Sequence, residues 1–223
     1  MVRQYTQGRR AEKSAETKTR ILDAAVALIP DADRFQVEEI ARKAGVSVPT
    51  VYSHFGSKGG LLSAIVGRVE REAGLFAGFG QVWQASDGET ALRAMLDATL
   101  RFWDHAWMFI EFALRVRRVD AEVGTRIERM DRSRRGHLVV ICRRLAHEGR
   151  LRGEMTPEAA AALTFSLTTP YVYEALVDGG VSRLDAIGLA VEAAITAIVR
   201  ADVAPLTEPA IDWVALGLRP PVV

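Results

Sequence analysis

Three features of the sequence predict an all-α protein, with an N-terminal helix-turn-helix three-helix domain followed by a larger helical domain. Apolar residues recur at spacings of three and four along most of the chain, and nowhere do they alternate as a half-buried strand requires. Hydroxyl residues able to cap helices stand ahead of several of these runs, at Ser47, Thr156 and Ser182. Glycine and proline punctuate them, at Gly45, Gly74 and Gly179-Gly180 and at Pro30 and Pro157. With 223 residues, 49% of them hydrophobic, and a mean hydropathy of +0.06, the chain can build a small domain and a medium one. The expected division is 14–74, 75–201 and a C-terminal tail of open role at 202–223.

The elements follow in order. From Ser14 to Ile29, the residues Ile21, Leu22, Ala25, Leu28 and Ile29 form one stripe, which Pro30 closes. Asp31 to Arg34 is a polar connector, and Phe35 is placed before Gln36 to pack back on the next helix as a hydrophobic staple. Val37, Ile40, Ala41 and Ala44 keep helical spacing, Gly45 can take a left-handed backbone, and Ser47 caps a short second helix. After Ser57 a long helix carries Leu61, Leu62, Ile65, Val66 and Val69 toward Phe76 and Phe79. Gly74, Gly78 and Gly80 weaken its continuation, each costing about 1 kcal/mol against alanine, so the domain boundary is expected near residue 74. Five further helices are expected, near 87–105, 107–118, 121–148, 157–178 and 182–200. The fourth opens on Thr156-Pro157-Glu158, a cap, a first-turn proline and an acid, and carries Pro170 in its interior as a kink.

A helix, a glycine turn and a second short helix over residues 35–62 is the pattern of a helix-turn-helix reader of DNA. Such a recognition helix enters the major groove by its N-terminal end, so Ser47, Val48, Pro49 and Thr50 should face base edges. Val48 and Pro49 can read shape and thymine methyls, and Thr50 can also hydrogen-bond. The net charge is only +1, but residues 1–20 carry six cations against two anions, a local +4 just ahead of the motif. Residues 1–12 are either a basic arm attracted to phosphate or a solvated tail.

The run Ile40, Ala41, Ala44, Gly45, Val46, Ser47, Thr50, Tyr52, His54, Phe55, Lys58 and Leu61 resembles the DNA-binding domain of TetR-family transcriptional regulators. The resemblance is specific over about residues 16–66 and architectural beyond. It implies that Tyr52, His54 and Lys58 contact phosphate, work to which a phenol, an imidazole and an ammonium are suited. Gln36 stands where the family usually has Thr or Ser, so that capping contact departs from the pattern. Phe55 is expected to pack on the first helix instead of touching DNA. The resemblance also implies a homodimer, formed by pairing the helices at 157–178 and 182–200 with their counterparts, and a cavity for a small-molecule effector in the body.

Candidate lining residues for that effector pocket are Trp103, Trp107, Phe112, Phe165, Thr169 and Tyr173, together with Arg134. Taken alone, aromatics at helical spacing also describe an ordinary core. Arg134 falls in register with Val123, Ile127, Met130, Leu138, Ile141 and Leu145, so it should either pair with a carboxylate or meet an acidic ligand. Twelve arginines between 115 and 152 face five acids, a net +7 that is either a solvated helix face or an anion-binding surface.

Enzymatic machinery is not evident. The four histidines show no i, i+4 partner of ligand type, so no metal is expected, and no phosphate loop or nucleophile elbow stands out to call for a cofactor. The single cysteine, Cys142, lies among Val139, Val140 and Ile141 and reads as a core thiol. No run approaches the roughly 18 apolar residues of a membrane span, and the N-terminus lacks the apolar core of a signal peptide, so a cytoplasmic protein is expected. The function expected is a sequence-specific regulator that binds a near-palindromic double-stranded DNA operator as a homodimer, most simply a repressor released by a small, largely apolar effector. The alternatives are a ligand-independent regulator, or a helical small-molecule-binding protein or enzyme that retains the helix-turn-helix as structure.

Overall fold

The computed structural model describes residues 2–29 and 35–203. The expected stop at Pro30, the connector 31–34 and nearly all of the tail 202–223 lie outside the described residues. Eleven α-helices occur among them: α1 Val2–Leu28, α2 Val37–Ala44, α3 Val48–Phe55, α4 Lys58–Glu72, α5 Leu75–Gln84, α6 Gly88–His105, α7 Trp107–Val116, α8 Ala121–His147, α9 Pro157–Leu167, α10 Pro170–Asp178 and α11 Arg183–Ile198. The fold is all-α. The one β-type pairing among the described residues is an isolated bridge between Leu151 and Val199.

The chain forms two compact units. The first comprises the residues up to Val69 together with Met108–Glu128. Its core includes Ile21, Ala25, Val37, Ile40, Val51, Leu61 and Ile65, with Phe112, Val116 and Val123 contributed by the later segment. α1 packs on α2, and α2 on α3. The second unit comprises Glu70–Trp107 and the residues from Arg129 on. In it α5 lies along α6, and α11 packs on α6, α9 and α10 around Leu92, Leu96, Leu100, Leu138, Ile141, Leu145 and Ile198.

Three elements differ from the expectation, each for a local reason. α1 begins at Val2 instead of near Ser14, so the basic segment continues the first helix. The long helix after Ser57 stops at Glu72, because Gly74 takes a left-handed backbone (φ 68°, ψ 18°) and α5 starts afresh behind it. The single kinked helix expected at 157–178 is two helices. Pro170 cannot donate to residue 166 and its ring obstructs the preceding turn, so it opens α10 at the first helical position, with Thr169 as the cap accepting from the Val172 N–H.

The arginine-rich stretch is not one solvated face. In the second unit Arg144 pairs with the fully buried Glu148, whose two carboxylate oxygens each accept from the Gly88 N–H at 3.1 Å, at the start of α6. Arg150 reaches Glu89 at 2.5 Å and Asp87 at 3.7 Å. Arg143 is on the surface, 3.0 Å from Glu158. Cys142 is fully buried, and its thiol is pushed up to about 12 by desolvation, with Glu158 adding to the effect.

Candidate nucleic-acid interface

The turn between α2 and α3 is built residue by residue. Gly45 is left-handed (φ 65°, ψ 37°) and its N–H returns to Arg42 O, while the Val46 N–H returns to Ala41 O at 3.0 Å, so the last carbonyls of α2 are satisfied. Ser47 is extended and its Oγ accepts from the Thr50 N–H at 3.3 Å, which starts α3 with Pro49 inside its first turn. Val51 is completely buried and anchors the helix, whereas Ser47 and Pro49 are exposed and Val48 and Thr50 half-buried. The buried anchor thus holds the first turn of α3 outward. The Thr50 hydroxyl lies 2.8 Å from Ser47 Oγ, leaving one rotatable hydroxyl pair at the tip.

Around this turn, Tyr52 is 38% exposed and His54 half-buried. Phe55 is half-buried, with Lys18 Nζ of α1 5.8 Å from its ring centroid, which places it against the first helix. Gln36 is exposed at the start of α2, and its side chain makes no capping hydrogen bond, so that helix begins without the support a Ser or Thr would give. Ser57 Oγ accepts from the Gly60 N–H at 3.0 Å and opens α4.

Lys58 has a partner that sequence reasoning missed. Its Nζ lies 2.5 Å from Asp120 Oδ2 and 5.7 Å from the centroid of the Phe35 ring. Asp120 precedes α8, and its other oxygen accepts from the Glu122 and Val123 N–H groups at 3.1 and 3.2 Å. Burial raises the Asp120 carboxyl, but the Lys58 hydrogen bond and the two backbone donors outweigh it, and the net direction is downward. A pairing across 62 residues leaves no periodic trace in sequence.

The candidate effector residues divide between the units. Phe112 is buried in the first, bordering a crevice of about 10 Å³ with Ala25, Ile29, Phe35 and Ile40, room for at most one water. The remaining candidates lie in the second unit. There the Arg134 guanidinium stands 3.9 Å from the Phe165 ring centroid and 5.6 Å from that of Trp103. Among the described residues it is held by backbone carbonyls and not by a carboxylate: its Nη1 donates to the Thr168 carbonyl at 2.8 Å and its Nη2 to the Phe165 carbonyl at 3.4 Å, at the C-terminal end of α9. Trp103 Nε1 donates to the same Thr168 carbonyl at 3.3 Å. Burial lowers the Arg134 pKa to about 10, against a smaller opposing pull from Asp131. Trp107 and Tyr173 stack obliquely at 5.9 Å, and Tyr173 donates to Asp104 Oδ1 at 2.6 Å, an oxygen it shares with Arg183. Burial and that hydrogen bond push the Tyr173 phenol up to about 12. Thr169 uses its hydroxyl as the α10 cap.

Residues 21–65 match the family profile for bacterial regulatory proteins of the TetR family. No curated protein sequence matches the chain. Among solved structures, SmeT in complex with triclosan superimposes with a TM-score of 0.64 at 23% identity, covering 88% of this chain and 100% of that one. NalD, the secondary repressor of the MexAB-OprM multidrug efflux pump in Pseudomonas aeruginosa, gives 0.60 at 22% identity, covering 84% and 99%. A TetR transcription regulator from Haloarcula marismortui gives 0.62 at 17% identity, covering 83% and 100%. This is a TetR-family regulator fold. The TetR-type head holds the turn described above, and no helix among the described residues is long and apolar enough to cross a membrane.

Proposed function

We propose that the chain is a homodimeric, sequence-specific DNA-binding repressor whose hold on its operator is released by a small, largely apolar effector. The observation that carries the reading is the first turn of α3, held outward by the buried Val51 and presenting Ser47, Val48, Pro49 and Thr50. Tyr52, His54 and Lys58 are the phosphate contacts that seat this turn in the groove, and Gln36 lies at the exposed start of α2. Dimerisation is supported by Tyr171, Leu184 and Leu189, exposed by 51%, 66% and 52% on α10 and α11. The effector reading is supported by the fold shared with SmeT, whose structure is a complex with triclosan. Selection of bound fragments from random duplex is the test: the expected site has two-fold symmetry, with half-sites about one helical turn apart. An enriched site without a dyad, or no enrichment, overturns the reading. Within a selected site, Thr50→Ala should change base preference by about 1–3 kcal/mol at one position.

A ligand-independent regulator is the second reading, favoured by one observation. Trp103 Nε1 and Arg134 Nη1 both donate to the Thr168 carbonyl, and Trp107 stacks on Tyr173. Titrating the operator complex with triclosan and a panel of halogenated aromatics separates the two: release by any of them supports an effector, and uniform indifference supports the ligand-independent form.

A further inference from the structure

The acidic first turn of α8 lies against the start of α4, within the same compact unit as the helix-turn-helix. Asp120 Oδ2 is 2.5 Å from Lys58 Nζ, and a Cβ built on Gly59 would come within 3.2 Å of Glu122 Oε2. One carboxylate from this helix end therefore holds the lysine that should greet a DNA phosphate, and a second lies beside the residue that follows it. Asp120 is poorly placed to give way, because its other oxygen holds the Glu122 and Val123 N–H groups and its side chain is only 9% exposed. Lys58 is 29% exposed, so its ammonium can still be approached from solvent.

We infer that Asp120 is a positioning residue of the DNA interface that masks the charge of Lys58, setting operator affinity below what the head alone would reach. The physical basis is short-range neutralisation. An anion at 2.5 Å cancels most of the field an ammonium projects toward a phosphate farther away, so the pair releases less than one counterion on binding. A lysine freed of the mask contributes its full phosphate contact. The inference rests on the DNA-binding reading above.

The test is a double-mutant cycle read as the salt dependence of binding to the selected duplex. Asp120→Asn keeps the α8 cap, since asparagine caps helices as well as aspartate, and removes only the charge. Asp120→Ser, which also caps, is the second variant, and circular dichroism of both checks that helicity is kept. The expected result is a log K against log[salt] slope steeper by about 0.9 per reading head, equivalent to about five-fold tighter binding per head at 150 mM salt and little change near 1 M. In a Lys58→Ala background the gain should fall below about two-fold, and Glu122→Gln, with the same charge change beside the lysine instead of on it, should stay within about two-fold of wild type. A wild type that binds no duplex overturns the DNA-binding reading. A wild type that binds, with an Asp120→Asn variant that is unchanged, weaker, or equally improved without Lys58, overturns the mask alone.

Discussion

Lys58 and Arg134 are two cations drawn out of solvent in opposite ways. Lys58 is partly exposed and makes one 2.5 Å contact with a carboxylate. Arg134 is 9% exposed and rests its charge on the Thr168 and Phe165 carbonyls and on the faces of Phe165 and Trp103. The carbonyls close α9, where the helix dipole is negative, so the helix end does diffusely what Asp120 does at a point. Each charge is useful in a different place. A lysine paired at the rim can be approached by a phosphate while its carboxylate stays in place, whereas an arginine enclosed by rings and backbone carbonyls is committed to holding α8, α6 and α9 together.

That contrast predicts unequal consequences of removal. Arg134→Ala should destabilise the protein by about 2–4 kcal/mol, since it opens a void between two aromatic rings and removes one donor from each of two buried carbonyls. Chemical denaturation measures this, and Arg134→Lys should recover little, because an ammonium reproduces neither the fork nor the stacking. A neutral Arg134→Ala breaks the comparison. Lys58→Ala should cost at most about 1 kcal/mol, as expected of a partly exposed pair screened by water and salt. A loss as large as that of Arg134 in the same assay would mean that the Lys58–Asp120 contact is a structural clasp.

A smaller effect sharpens the same distinction with a titrating cation. His137 in α8 lies edge-on to Phe79 and Trp83, with ring centroids 6.2 and 6.5 Å away, and burial lowers its pKa from the ordinary 6.5. The folded state then binds a proton less readily than the unfolded chain. Stability from this site is full above about pH 6.5 and is lost as pH falls through the lowered folded value. Relative to wild type, His137→Phe should flatten stability between about pH 5 and 7, while leaving the alkaline side unchanged. A parallel offset at every pH would mean that the ring titrates as it does in water.

The sequence made legible what short-range rules govern. Gly45 and Ser47 specify the turn by backbone sign and hydroxyl capping, and Thr156 and Ser182 start their helices as expected, accepting from the Ala159 and Asp185 N–H groups. The stripe through Val37, Ile40, Ala41 and Ala44 is buried as its period requires. Where a single residue had two local roles available, the outcome was not visible: Pro170 could kink a helix or begin one, and the cap at Thr169 decided for the second. The long-range partners were hidden for a different reason. Asp120 looked like one acid in a basic stretch until folding brought it to Lys58, and Phe112 shared a helical pattern with Trp103 although it is buried in the other unit. Arg134 was recognised as needing a partner, but a backbone carbonyl has no letter in the sequence.

The two sides of this junction differ in how freely they can vary. Its acceptor, the Thr168 carbonyl, is supplied by any amino acid at that position, whereas its donors, Arg134 and Trp103, are particular side chains. A saturation scan should therefore find positions 134 and 103 nearly closed, and position 168 more tolerant but best filled by Thr or Ser, whose hydroxyl also accepts from Arg134 Nη1 at 3.3 Å and donates to the Thr164 carbonyl at 2.7 Å. Across diverged sequences the contact would leave no correlated pair of substitutions. The region that most resists change would then look, to any method that searches for residues changing together, as though nothing connected it.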